Sequence, residues 1–158
     1  MKQFDIVIPV KVKAYDELTA AEAALVDAAW AATDCAYAPY SHFNVGAAIR
    51  LASGTVVTGA NQENAAYPSG TCAERSACYY AGAKHKGDPF KAIAITAKET
   101  NGERVADVAA PCGACRQALL EYEKLAGHDV AVYLAGAKGV YCLPSVKSLL
   151  PLAFTDFD

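Results

Sequence analysis

Three cysteines placed where helices begin constrain this chain more than any other feature of its sequence. Cys112 and Cys115 are three residues apart, which puts both thiols on one face of a helix's first turn. Pro111, just before them, suits a helix entry, where its missing N–H costs little. Cys72 opens an earlier helical stretch in the same way. Helix N-termini favour the thiolate, the form of cysteine that binds zinc. Three thiolates leave one position of a tetrahedral ion open, and that is the habit of catalytic zinc; structural sites usually close with four protein ligands. Cys78 is too far along its helix from Cys72 to reach the same ion easily, and Cys35 would have to come from elsewhere.

Glu74, two residues after Cys72, is the candidate general acid and base, because a carboxylate beside a metal-activated water can take its proton and pass it on. Spacing leaves open whether Glu74 turns toward the metal, since two residues along a regular helix point to different sides. A redox dithiol at Cys112 and Cys115 would leave Cys72-Ala73-Glu74 without a role.

The rest of the chain supplies a scaffold. Thr19 followed by Glu22 is a capping box, and Leu25, Val26, Ala29 and Trp30 follow at helical spacing. The first helix is expected over 19–35, ending before Pro39. Strands at 43–51 and 55–60 around Ser53-Gly54 read as a hairpin. A polar loop leads to a second helix over 72–84, a strand at 92–96 and a third helix starting near Cys112. Strands at 130–135 and 139–143 and a short helix at 145–150 complete the order. The expectation is one layered α/β domain, α/β/α in three layers, with a five-stranded mixed sheet. It spans 19–158. Residues 1–18 precede it as an extended arm, alternating around Ile6, Ile8, Val10 and Val12, and Pro9 confines that arm to an edge.

Composition closes off several alternatives. At 158 residues with a hydrophobic content of 54%, the chain can bury a core without disulfides. A net charge of -3 and the lack of a basic block argue against a nucleic-acid partner. No stretch approaches the roughly 20 apolar residues of a membrane span, and the first residues do not form a secretory signal. The expected location is the cytoplasm, where cysteines stay reduced. Cys35, Cys78 and Cys142 are expected to be small buried hydrophobes, and His42, His85 and His128 to be structural or exposed.

Cys72-Ala73-Glu74 and Pro111-Cys112-Gly113-Ala114-Cys115 match the zinc-deaminase pattern in its cysteine version. With Tyr40-Ser41-His42-Phe43-Asn44-Val45-Gly46-Ala47-Ala48, Asn61-Gln62-Glu63-Asn64-Ala65, Arg75 and Arg116-Gln117, the chain resembles the small, three-cysteine, homotetrameric cytidine deaminases from about Thr19 to Phe154. The resemblance implies their fold, one zinc ion per chain and hydrolytic deamination of cytidine and deoxycytidine in pyrimidine salvage. Another small amine substrate, such as blasticidin S, is the alternative.

The resemblance also assigns roles. Asn61 and Glu63 would hydrogen-bond the ribose 3′-hydroxyl, Phe43 would pack on the pyrimidine, and the Ala73 backbone would read the base edge with Glu74. Arg75 would contact the zinc-bound sulfurs. Tyr40, Tyr67 and Phe154 would complete active sites shared between subunits. Asn44 and Pro68 depart from the residues common in relatives, proline and glycine respectively, at the pocket rim.

Overall fold

Alternation along three strands decides the layering. In β2 (Phe43–Leu51), β4 (Phe90–Glu99) and β5 (Ala131–Gly136), successive side chains point to opposite faces. Ala47, Ile49, Leu51, Ile93, Ile95, Val132 and Leu134 join one buried cluster with Ala73, Ala77, Leu119 and Leu120. Ala48, Ala92, Ala94, Tyr133 and Ala135 join a second with Leu25, Val26, Ala29 and Trp30. Helix α1 (Ala20–Ala32) therefore covers one face, and α2 (Ala73–Lys84) and α3 (Gly113–Ala126) cover the other. The three-layer α/β/α expectation describes this arrangement.

These relations come from a computed structural model that describes residues 1–155. The last residues of the domain read as 19–158 lie outside the described ones.

The five-stranded sheet expected from sequence is corrected to six strands, in the order β1-β6-β5-β4-β2-β3. The addition is β1 (Lys11–Lys13), which pairs antiparallel with β6 (Gly139–Leu143) through Lys11↔Cys142, Val12↔Tyr141 and Lys13↔Val140. Without it the edge of β6 would present unpaired backbone groups. Pro9, which has no N–H to give, falls just before the paired residues. Lys13 Nζ also meets Glu22 at 2.9 Å, tying the arm to α1. The hairpin partner of β2 is β3 (Val56–Ala60). Among the described strands only β4 and β5 run parallel, and α3 lies in the crossover that such a pair needs.

The Thr19–Glu22 capping box is present. Helix α1 stops at Ala32 and gives way to a 3-10 turn, Thr33–Cys35, so the first helix is shorter than 19–35. Cys35 on that turn is exposed, contrary to the buried expectation, whereas Cys78 is buried and Cys142 half-buried. The closing helix is a 3-10 turn, Val146–Leu149.

Close approach fixes where α2 begins. A Cβ on Gly59 would lie 2.5 Å from the Ala77 nitrogen and 2.7 Å from the Ala73 oxygen. The hairpin thus presses directly on the first turns of α2, the helix that Cys72 opens.

Candidate metal centre and active site

The starts of α2 and α3 meet on one side of the sheet. Cys72 and Cys112 are the N-cap residues of the two helices, each with extended backbone and no capping bond from its side chain. Their sulfurs lie 3.9 Å apart. Cys115, in the first turn of α3 and fully buried, brings its sulfur to 3.5 Å from that of Cys112. All three sulfurs fall within 4.8 Å of one another. A tetrahedral ion with Zn–S bonds of about 2.3 Å spaces its sulfurs by roughly 3.8 Å, so the donor set fits zinc. Among the described residues no other group of this kind occurs.

The electrostatics favour a bound cation. The Cys72 thiol is brought down to about 5, first by a hydrogen bond from Cys115 and then by Arg75, against the effect of burial. The Cys115 thiol is pushed up, because it keeps the proton it shares with Cys72 and because it is buried. Arg75 sets Nη2 at 3.8 Å from the Cys72 sulfur, and its buried Nε has no hydrogen-bond partner among the described residues. Three thiolates around a dication leave a net negative cluster, which a guanidinium beside them offsets. Cys78 stays apart: its sulfur turns to the Arg75 carbonyl, and burial pushes its thiol up to about 12.

Glu74, 4% exposed, lines the same cavity as Cys72 and Cys112. It thus shares a wall with two of the three thiols. Burial pushes its carboxyl up, and the charge of Cys72 adds to this; hydrogen bonds from its own amide and from Cys115 act the other way.

The cavity has a volume of about 630 Å³. Phe43, Asn61, Glu63, Tyr40, Tyr67 and Arg75 all reach its wall. Tyr40 and Tyr67 meet edge to face at the rim, with ring centroids 6.4 Å apart. Three residues singled out by sequence are not on the wall, and one of them is Cys115, buried behind Cys112. Ala73 is fully buried in the core beside it. Phe154 is 66% exposed, with its carbonyl accepting from Gln117 Nε2 at 2.9 Å.

Sequence reasoning missed the apolar part of the wall: Val45, Ile95, Ala109 and Ala110. The inward register of β2 and β4 could have suggested Val45 and Ile95; nothing local marks Ala109 and Ala110. It also missed what Arg116 does. Its Nε donates to the Pro111 carbonyl at 2.8 Å and its Nη1 to the Leu149 carbonyl at 2.7 Å. The residue before Cys112 is thereby tied to the C-terminal segment.

Similarity to known proteins runs over the same stretch. Residues 19–126 match the family model described as the cytidine and deoxycytidylate deaminase zinc-binding region. A cytidine deaminase of Halalkalibacterium halodurans is 41% identical over 134 residues, which is 85% of this chain and 94% of that protein. The crystal structure of cytidine deaminase from Burkholderia pseudomallei superposes with a TM-score of 0.69 at 42% identity, covering 83% of this chain and 97% of that one. That of the Mycobacterium tuberculosis cytidine deaminase gives 0.66 at 34% identity, covering 84% and 96%. Sequence, fold and the thiol cluster agree, and the chain belongs to the cytidine and deoxycytidylate deaminase zinc-binding family.

Proposed function

We propose that this chain hydrolyses the exocyclic amine of cytidine and deoxycytidine, giving the corresponding uridine and ammonia. The observation that carries this reading is a cluster of three metal-suited thiols, two of which, Cys72 and Cys112, line one cavity with the buried carboxylate of Glu74, in a chain of this family. Cys72, Cys112 and Cys115 would hold one zinc ion, which when bound lowers the pKa of a water and so makes a nucleophile available at neutral pH.

Glu74 carries the protons. It takes one from the attacking water and delivers it to N3 of the base, then takes the proton of the C4 hydroxyl so formed and gives it to the amine, which leaves as ammonia as the C4 carbonyl forms. A carboxyl raised by burial suits this work, since a proton carrier needs a pKa near the operating pH. Phe43 packs on the pyrimidine, the Ala73 backbone reads the base edge, and Asn61 and Glu63 take the ribose hydroxyl. An amide and a carboxylate together can donate to and accept from one hydroxyl. Arg75 moderates the charge on the sulfurs.

Tyr40 and Tyr67 are half or more exposed at the mouth, and Phe154 is exposed and does not line the cavity of its own chain. A homotetramer in which such side chains finish a neighbour's site accounts for this exposure. The catalytic domain is then 19–158, with 1–18 as an appended arm, working in the cytoplasm in nucleoside salvage.

The test is loss of the cytidine absorbance on adding purified protein, with zinc per chain measured on the same sample. Turnover of cytidine with one zinc per chain supports the reading. One zinc with no turnover of cytidine or deoxycytidine, together with turnover of blasticidin S, would overturn it.

A further inference from the structure

Asn61 and Glu63 face the cavity, yet their side chains are already bonded to the chain's own backbone. Glu63 Oε2 accepts from the Tyr40 N–H at 2.9 Å and from the Ser41 N–H at 3.2 Å. Two successive amides converging on one anionic oxygen form a nest, a concavity that selects negative charge. Hydrogen bonds from the Ser41 hydroxyl and the Tyr40 amide hold the Glu63 carboxyl below its ordinary value.

Asn61 does the corresponding work one turn of chain later. Its Nδ2 donates to the Phe43 carbonyl at 2.9 Å, and its Oδ1 accepts from the Val45 N–H at 2.8 Å. β3 ends at Ala60, opposite Gly46, and the Asn61 backbone N–H still reaches the Val45 carbonyl at 3.2 Å. The side-chain amide then extends the ladder to the first residues of β2, which have no β3 backbone to pair with. Between the two anchors His42 holds a left-handed backbone, φ 57°. A residue with a Cβ keeps that conformation only where its surroundings fix it.

We propose that Asn61 and Glu63 are positioning residues that fix the Tyr40–Val45 segment, and with it the Tyr40 and Phe43 walls of the cavity, before substrate arrives. This role is separate from any contact with the sugar and depends on the proposed reaction only for its kinetic test. Its effect is preorganisation: a wall set in advance spares the ordering cost at binding.

Amide hydrogen exchange on the substrate-free protein reads the frame without any chemistry. In Glu63→Ala the Tyr40 and Ser41 amides should exchange at least about tenfold faster, and in Asn61→Ala the Val45 amide should do the same. Glu63→Gln, which keeps an accepting oxygen, should restore much of the protection, and Asn61→Ala decides if Glu63→Ala does not fold. Unchanged exchange at Tyr40 and Ser41 in Glu63→Ala, or at Val45 in Asn61→Ala where only that variant folds, would overturn the proposal.

The kinetic test combines Glu63→Ala with Tyr40→Ala. If Glu63 acts through the placement of Tyr40, the losses in kcat/KM for cytidine overlap, and the double variant loses at least about threefold less than the product of the single losses. Losses that multiply in full would mean that Glu63 works through the sugar alone, and would sink the idea. A protein inactive on cytidine would defeat the earlier reading while leaving the exchange result to decide this one.

Discussion

Glu74 and Glu123 are the two buried carboxylates among the described residues, 4% and 6% exposed, and they are kept in opposite ways. Glu123 in α3 accepts from the Val130 N–H at 2.8 Å, the Val146 N–H at 2.7 Å, the Lys147 N–H at 3.1 Å and the Ser145 hydroxyl at 2.7 Å. It joins the approach to β5 and the start of the last 3-10 turn to the last turn of α3. Glu74 is raised by burial and by the charge of Cys72, and hydrogen bonds from its own amide and from Cys115 oppose this without cancelling it. Equal burial thus serves two ends. A carboxylate surrounded by donors holds chain segments together, and one left short of donors beside a cavity is able to exchange a proton.

The contrast breaks first at Glu74. Glu74→Gln should lower kcat for cytidine by about 10²- to 10⁴-fold, with bound zinc and melting temperature close to those of the parent. Activity near the parent level would place Glu74 with Glu123 as a packing residue. Removal of the metal comes next. A strong chelator, or Cys115→Ala, should abolish turnover and lower the melting temperature together, and thermal melting followed in parallel with metal content checks this.

Glu123→Ala gives the mirror image. Its lost acceptors leave buried backbone N–H groups unpaired, at about 3 kcal/mol in all, or a melting temperature lower by roughly 6–12 °C. The kcat of the folded fraction should stay within about threefold of the parent. A large loss of kcat without loss of stability would erase the distinction.

The smallest effect sharpens the comparison with a third carboxylate. Glu22 is opposed by burial, yet hydrogen bonds from Lys13 and Thr19 hold it at about 2, below an ordinary value of 4.5. A depressed carboxyl stabilises the fold above its unfolded pKa and loses that contribution as pH falls toward the folded one. Stability from the Lys13 contact should therefore be complete above about pH 4.5 and fade toward pH 2. Glu22→Gln should flatten this acid limb in melting curves recorded between pH 6 and pH 3, and an unaltered limb would show that the arm is held by strand pairing alone.

What the sequence made legible is what is written locally. The Cys112–Cys115 spacing, the Thr19–Glu22 box and the alternation of β2 and β4 each depend on residues within a few positions of one another. Glu123 carries no such signal, because its partners at Val130 and Ser145–Lys147 arrive only when α3 packs on the sheet end. β1 was legible as an extended strand or arm at an edge, but not its place in the sheet, because its partner β6 lies at the other end of the chain. Asn61 and Glu63 stood out as polar loop residues, but their bonds to Phe43, Val45, Tyr40 and Ser41 depend on how the hairpin meets the preceding loop. The thiol cluster was readable, and the backbone contacts of Asn61 and Glu63 were not.

The two kinds of spacing among the cysteines have a thermodynamic consequence. Cys112 and Cys115 stay neighbours in any conformation of the chain, while Cys72, 40 residues from Cys112, joins them only through the completed sheet. An unfolded chain therefore retains a two-thiol chelate. Because metal bound to the unfolded state subtracts from what it contributes to the native one, zinc favours folding only by the margin of the third sulfur and its surroundings. Raising the zinc concentration far beyond saturation should then add little further stability, and the ion secures a finished fold more than it drives the chain toward one.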